Sequence, residues 1–271
     1  MTKPSPSRNW SDLHSPDLKA DADQRIAVLP LAATEQHGPH LPLGTDSRIC
    51  DAIVDAALAR SGGSGKVLRL PTQRIGVSPE HASFAGTLSL EPELALAIVT
   101  AIGRAVAATP VRKLILFNAH GGQPQILDLA APRLRRETGL LVVRATYFRF
   151  GTPPGLIPET EARYGLHGGM LETSLMLAIA PALVRAEHCR HFPSRAAALE
   201  QGSAVFRVEG RTGIGWLAED LNAQGVVGDA ASASAELGRQ LLEHYAAALA
   251  ALIAEVQRLD WQPAAGPERA R

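Results

Sequence analysis

The chain is expected to fold as a single α/β domain, a three-layer α/β/α sandwich around a mostly parallel sheet. Three observations point there. Apolar runs of strand length alternate with stretches of helical periodicity. Two loops crowded with potential ligands each follow a strand candidate directly. At 271 residues the chain can bury a substantial core without staples. Each parallel crossover needs a covering helix, so the alternation implies helices on both faces of the sheet.

Taken in order, "RIAVLPLA" (25–32) reads as a buried strand, and the loop "ATEQHGPHLPLGTD" (33–46) follows it. A helix near 46–60 has an apolar face at helical spacing and is stopped by Gly62, Gly63 and Gly65. "KVLRLP" (66–71) is a second strand, succeeded by a long loop and a helix from about Glu91 to Ala108. "RKLILFN" (112–118) is a continuous apolar run ending in the turn "AHGGQ", and Pro124 suits the first turn of the next helix. "LLVVRATYF" (140–148) is the fourth strand, and a helix is expected from near Gly169. The chain closes with an Ala/Leu-rich helix from about Ala230, with Asp229 as its N-cap. Residues 190–215 are poorly patterned. Residues 1–24 read as an irregular extension, 25–258 as the domain and 259–271 as a tail.

Composition narrows the partners. Lys and Arg number 27 and Asp and Glu 27, so no global field favours nucleic acid or an anionic membrane, and a small-molecule substrate fits better. Cys50 and Cys189 lack a CxxC partner and suggest neither a disulfide framework nor a thiolate zinc site. No apolar h-region opens the chain and no run reaches the roughly 18 apolar residues of a membrane span, which makes the cytoplasm the expected compartment.

Ligands in parallel sheets bind beyond the carboxyl ends of strands, so "TEQHGPH" and "NAHGG" should emerge on the same edge. There Glu35, His37 and Asp46 offer two carboxylates and an imidazole, His120 follows the third strand, and Glu172 opens a helix with His167 just ahead. A carboxylate-rich set with histidines and no thiolates suits Zn²⁺ or Mn²⁺. A single catalytic zinc takes about three protein ligands, so five sharing a bridging carboxylate fit two ions roughly 3.5 to 4 Å apart. Taken singly, each has a plainer reading. Asp46 could cap a helix beginning at Ser47, Glu172 could complement a helix dipole, and "AHGGQ" could cradle a phosphate. Tyr147, Phe148, Phe150 and Tyr164 could line a substrate wall, although aromatics near a strand end are more often core.

Five motifs, "TEQHGPHLPLGTD" (34–46), "SPEHASFAGTLSL" (78–90), "NAHGGQ" (118–123), "HGGMLETSLML" (167–177) and "GVVGDAASASAELG" (225–238), occur in this order. They resemble those of the creatininase (creatinine amidohydrolase) family of metal-dependent amide hydrolases. The resemblance implies a three-layer α/β fold assembled into a homohexamer, and a binuclear centre of Zn²⁺ and/or Mn²⁺. Glu35, His37, Asp46 and His120 match its ligands, with Asp46 as the bridge and Glu172 as a fifth, catalytic carboxylate. His167 matches the proton-transfer residue, and the segment holding His81 and Ser83 would lie beside the substrate.

The reaction expected is attack of a metal-bridging hydroxide on a small cyclic or linear amide, such as a creatinine-like lactam or a formamide. The sequence departs from the creatinine-hydrolysing branch at Gly122, where that branch has a metal-binding glutamate, so Glu172 would have to supply the carboxylate. That branch also places tryptophans around its substrate, whereas Trp10, Trp216 and Trp261 here all lie outside the matching loops. Alternatives are a peptidase acting on a cofactor-precursor peptide and a nonenzymatic oligomeric scaffold of the same fold.

Overall fold

Ile26–Leu31 is apolar at every position because the strand it forms, β1, is covered on both faces. Ile26 and Val28 pack into one core cluster, whereas Ala27, Leu29 and Leu31 pack into another on the opposite side. In the computed structural model, which describes residues 9–19, 25–61 and 66–262, β1 lies inside a four-stranded sheet with β2 (Val67–Arg69), β3 (Lys113–Asn118) and β4 (Leu141–Thr146). The order is β2-β1-β3-β4 and every pairing is parallel. Pro30 is tolerated in so central a strand because its nitrogen faces the side on which β2 has already ended, so no ladder bond is lost.

The helices are α1 (Thr45–Arg60), α2 (Pro92–Ala107), α3 (Pro124–Thr138), α4 (Glu159–Tyr164), α5 (Met170–Ile179), α6 (Ala196–Leu199), α7 (Ala218–Leu221) and α8 (Ala235–Arg258). Buried residues of α1, α5 and α8 join the first core cluster; those of α2 and α3 join the second. This is the α/β fold with helices on both faces of a parallel sheet. The segment between α5 and α8 adds a two-residue antiparallel pair, β5 (His191–Phe192) with β6 (Gly228–Asp229). Among the described residues, no helix is long and apolar enough to cross a membrane.

Register fixes where chemistry can gather. Leu31 pairs with Asn118, and Asn118 with Thr146, so β1, β3 and β4 end level and their following loops share one edge.

Some element boundaries differ from the sequence expectation. β4 stops at Thr146, because Tyr147–Phe150 close a 3-10 turn against Gly151, whose φ is +75°. The last helix begins at Ala235, capped by Ser234, whose hydroxyl accepts from the Leu237 N–H at 3.1 Å. Asp229 is occupied instead in β6 and accepts from the Ser232 hydroxyl. Gly62, Gly63 and Gly65 lie outside the described residues, as do parts of the expected extension and tail. Within the extension, Trp10 packs onto the second core cluster.

Helices α5 and α8 cross at Gly238. A Cβ there would overlap the Ser174 carbonyl and approach the Ala178 Cβ to 2.9 Å. Gly238→Ala is therefore expected to lower stability by about 1–3 kcal/mol, the usual cost of overpacking, read as a lower urea midpoint. A midpoint equal to wild type would show that the crossing is looser than described.

Candidate metal centre

The loop after β1 turns inward because its polar side chains have partners there. Gly38, at φ +67°, and Gly168, also at +67°, both abut Val226, where a Cβ on either would come within 2.6 Å. His40 ties the two loops together. Its ring stacks on Phe192, and its Nε2–H reaches the Gly168 carbonyl at 2.9 Å and the Thr173 hydroxyl at 3.0 Å. Burial lowers the His40 pKa to about 4, keeping the ring neutral in this role.

Glu35, His37, Asp46 and His120 converge with at most 3% exposure each. Asp46 stands between the two imidazoles, Oδ1 3.1 Å from His37 Nε2 and Oδ2 3.2 Å from His120 Nδ1. Glu35 Oε1 lies 3.2 Å from His120 Nδ1, 3.6 Å from His81 Nε2 and 3.7 Å from His167 Nδ1. Glu172 Oε2 is 4.0 Å from His37 Nε2 and also accepts from the Gly168 N–H at 2.7 Å. Asp46 lies in the first turn of α1 behind Gly44, not at the cap position.

The imidazoles are oriented from behind. His37 Nδ1 donates to the Glu35 carbonyl at 3.1 Å, His120 Nε2 to the Val77 carbonyl at 2.8 Å, and His167 Nε2 to the Gln36 carbonyl at 2.8 Å. These bonds place a hydrogen on the outer nitrogen of each ring and turn its other nitrogen toward the carboxylates. Histidines pinned in this way through their outer nitrogen are the usual arrangement of metal ligands. Gln36 sets His81 as well, donating from Nε2 to its Nδ1 at 2.8 Å.

Among the described residues, Glu35 Oε2, His37 Nε2 and Asp46 Oδ2 are buried without a hydrogen-bond partner. Inward ring nitrogens beside orphaned carboxylate oxygens are costly alone and fit a cation. Three sets, Glu35/His37/His167, Glu35/Glu80/His120 and His37/Asp46/Glu172, each place one donor atom per residue within 4.8 Å of the others. The donor set therefore suits divalent ions of the zinc and manganese kind.

Electrostatics follow from the crowding. Burial opposes ionisation of Glu35, but His120, then His167 and His81, outweigh it and hold the carboxyl well below its ordinary value. Burial depresses His37, yet Asp46, followed by Glu172 and Glu35, raises it to about 9. His120 is likewise raised, and His81 falls to about 3 through burial and the neighbouring His167. Without metal, His37 thus carries a proton at neutral pH that an ion must displace. Zinc uptake by metal-free protein is expected to release protons and to strengthen with rising pH until about 9. Uptake that levels off near the ordinary histidine value of about 6.5 would contradict this.

The other expected site residues are dispersed. His81 stacks on His167, ring centres 4.1 Å apart, while Ser83 is exposed on the next turn. Tyr147 is buried in the first core cluster, edge-on to Tyr245 at 5.0 Å. Its phenol is pushed up by burial and then by Glu172. The sequence reading passed over Glu80 and Gln36, although both adjoin residues it singled out, in "PEH" and "EQH".

A family model described as creatininase, creatinine amidohydrolase, matches residues 11–253. The chain belongs to the creatininase family. Members of this family are metal-dependent amidohydrolases acting on carbon–nitrogen bonds. The chain is 34% identical over 242 residues to the mycofactocin precursor peptide peptidase of Mycobacterium tuberculosis, covering 87% of this chain and 85% of that protein. It is 31% identical over 184 residues to the creatinine amidohydrolase of Pseudomonas putida, covering 62% and 69% respectively. Among solved structures, a Zn–Zn form of a creatininase variant superposes with a TM-score of 0.76 at 26% identity, covering 94% of this chain and all of the other. A manganese creatininase has a TM-score of 0.71 at 26% identity, covering 93% of this chain and 100% of that one.

Proposed function

We propose that this creatininase-family chain uses a pair of divalent ions, Zn²⁺ and/or Mn²⁺, to hydrolyse an amide bond in a short peptide of the mycofactocin-precursor kind. The ions would be held by Glu35, His37, Asp46, His120 and Glu172. Asp46 carries this reading, since its two oxygens each face the inward ring nitrogen of a different histidine, at 3.1 Å and 3.2 Å. When bound, such ions supply Lewis acidity toward a carbonyl and draw the pKa of a coordinated water down to near neutrality. The peptide substrate class is supported by similarity across most of both chains to the M. tuberculosis peptidase.

The remaining steps belong to side chains. An amide nitrogen is too basic to leave unprotonated, so a general acid is required. His167 suits this role. Its Nε2–H is tied to the Gln36 carbonyl, leaving the free Nδ1 to take the proton released by the attacking water and pass it to the departing nitrogen. His81, stacked against it, would form one wall for the substrate.

A second reading, hydrolysis of a small lactam or formamide, is supported by the P. putida creatinine amidohydrolase. The described tryptophans do not favour creatinine. Trp10 packs on the second core cluster, Trp216 donates to Glu209, and Trp261 lies under Arg135. Metal-loaded protein incubated with precursor-type peptides, creatinine and a formamide, with products read by mass spectrometry, separates the two. Peptide cleavage alone is the expected result, and turnover of creatinine or formamide without peptide cleavage would overturn the first reading.

A further inference from the structure

We infer that Glu80 is a ligand of the ion held by Glu35 and His120, and that glycine at 122 leaves room for its carboxylate. This rests on the binuclear reading above. One oxygen of Glu80, one of Glu35 and a ring nitrogen of His120 lie within 4.8 Å of one another, the spacing shared by the His37/Asp46/Glu172 set. Glu35 Oε2 and Asp46 Oδ2 are both buried and without hydrogen-bond partners among the described residues, and Asp46 Oδ2 lies 3.2 Å from His120 Nδ1.

The turn that carries Glu80 also builds the pocket around His120. Val77 and Ser78 hold His120 Nε2 at 2.8 Å and 3.2 Å, and His81 at the other end of the turn faces Glu35. Glu80 lies between these points, its side chain 14% exposed and Oε1 3.8 Å from His120 Nε2, the nitrogen bonded to Val77. Glu172 lies instead on the His37 side, 4.0 Å from its Nε2.

Position 122 makes the assignment specific. Gly122 is not among the glycines with positive φ, so its backbone does not demand glycine. A Cβ there would overlap Glu80 Oε1 and come within 2.8 Å of its carboxyl carbon. A side chain at residue 122 would therefore push the Glu80 carboxylate out of this position. With Glu80 counted, one ion has His37, Asp46 and Glu172, and the other has His120, Asp46, Glu35 and Glu80. Each set meets the usual minimum of about three protein ligands.

The test is zinc uptake by metal-free protein in chelator-buffered zinc, read as zinc per chain by elemental analysis, for wild type, Glu80→Gln, Glu172→Gln and the double variant. Far-UV circular dichroism would check folding. Wild type is expected to bind close to two ions. Glu80→Gln should hold one at wild-type affinity and the other at least about 10 to 100 times more weakly. The double variant should lose both, because the two residues serve different ions, and Glu80→Asp should fall between wild type and Glu80→Gln. A Glu80→Gln titration superimposable on wild type would overturn the inference while leaving the binuclear reading intact. A wild type that takes up no zinc would remove both.

Discussion

Asp46→Asn is expected to cost both ions and nearly all turnover. Its two oxygens face different imidazoles, at 3.1 Å from His37 Nε2 and 3.2 Å from His120 Nδ1, so this one side chain reaches both halves of the centre. The amide keeps the size of the carboxylate but removes its charge and replaces one acceptor with a donor aimed at a lone pair. Even residues behind metal ligands alter affinity by about 10- to 100-fold, so a shared ligand should exceed that for each ion. Stability should follow. Metal at about 100 times its dissociation constant stabilises a folded protein by about 2.7 kcal/mol, and the variant forfeits this. Thermal melts with and without added zinc measure it directly. The wild type should gain on loading and Asp46→Asn should not. Equal gains would mean that Asp46 only organises the first turn of α1.

The second large effect is expected at His167. General acid catalysis contributes about 10²- to 10⁴-fold, and His167→Ala should lower kcat by that order while leaving zinc per chain unchanged. Geometry allows a competing role, because Glu35, His37 and His167 place donor atoms within 4.8 Å of one another. Measuring metal and kcat on the same preparation separates the two. Loss of an ion in His167→Ala would make His167 a ligand and leave the proton to another group.

The fold was legible where burial dictates composition. β1 is apolar throughout and β3 from Leu114 to Phe117 because helices cover both faces, and that pattern needs no long-range knowledge. The meeting of the 33–46 loop with His120 was also legible, since strands running parallel must end on a common edge. Boundaries set by single hydrogen bonds were not. Ser234 outcompetes Asp229 as the helix cap because β6 engages Asp229 first, a tertiary fact. Tyr147 illustrates the same limit, as its sequence position near a strand end does not reveal that the chain turns it beneath Tyr245. Glu80 was hidden for a different reason. A glutamate beside a histidine on a turn reads as solvated, and only the approach of His120 from β3, with the space left by Gly122, gives it a chemical setting.

The central claim is a two-ion centre built by this chain, and metal content tests it most directly. Elemental analysis of protein purified without chelator, with Glu172→Gln in parallel, is expected to give close to two Zn or Mn ions per chain in the wild type. The variant should lose the ion on the His37 side. Near-zero metal in the wild type that neither Zn²⁺ nor Mn²⁺ restores would contradict the account.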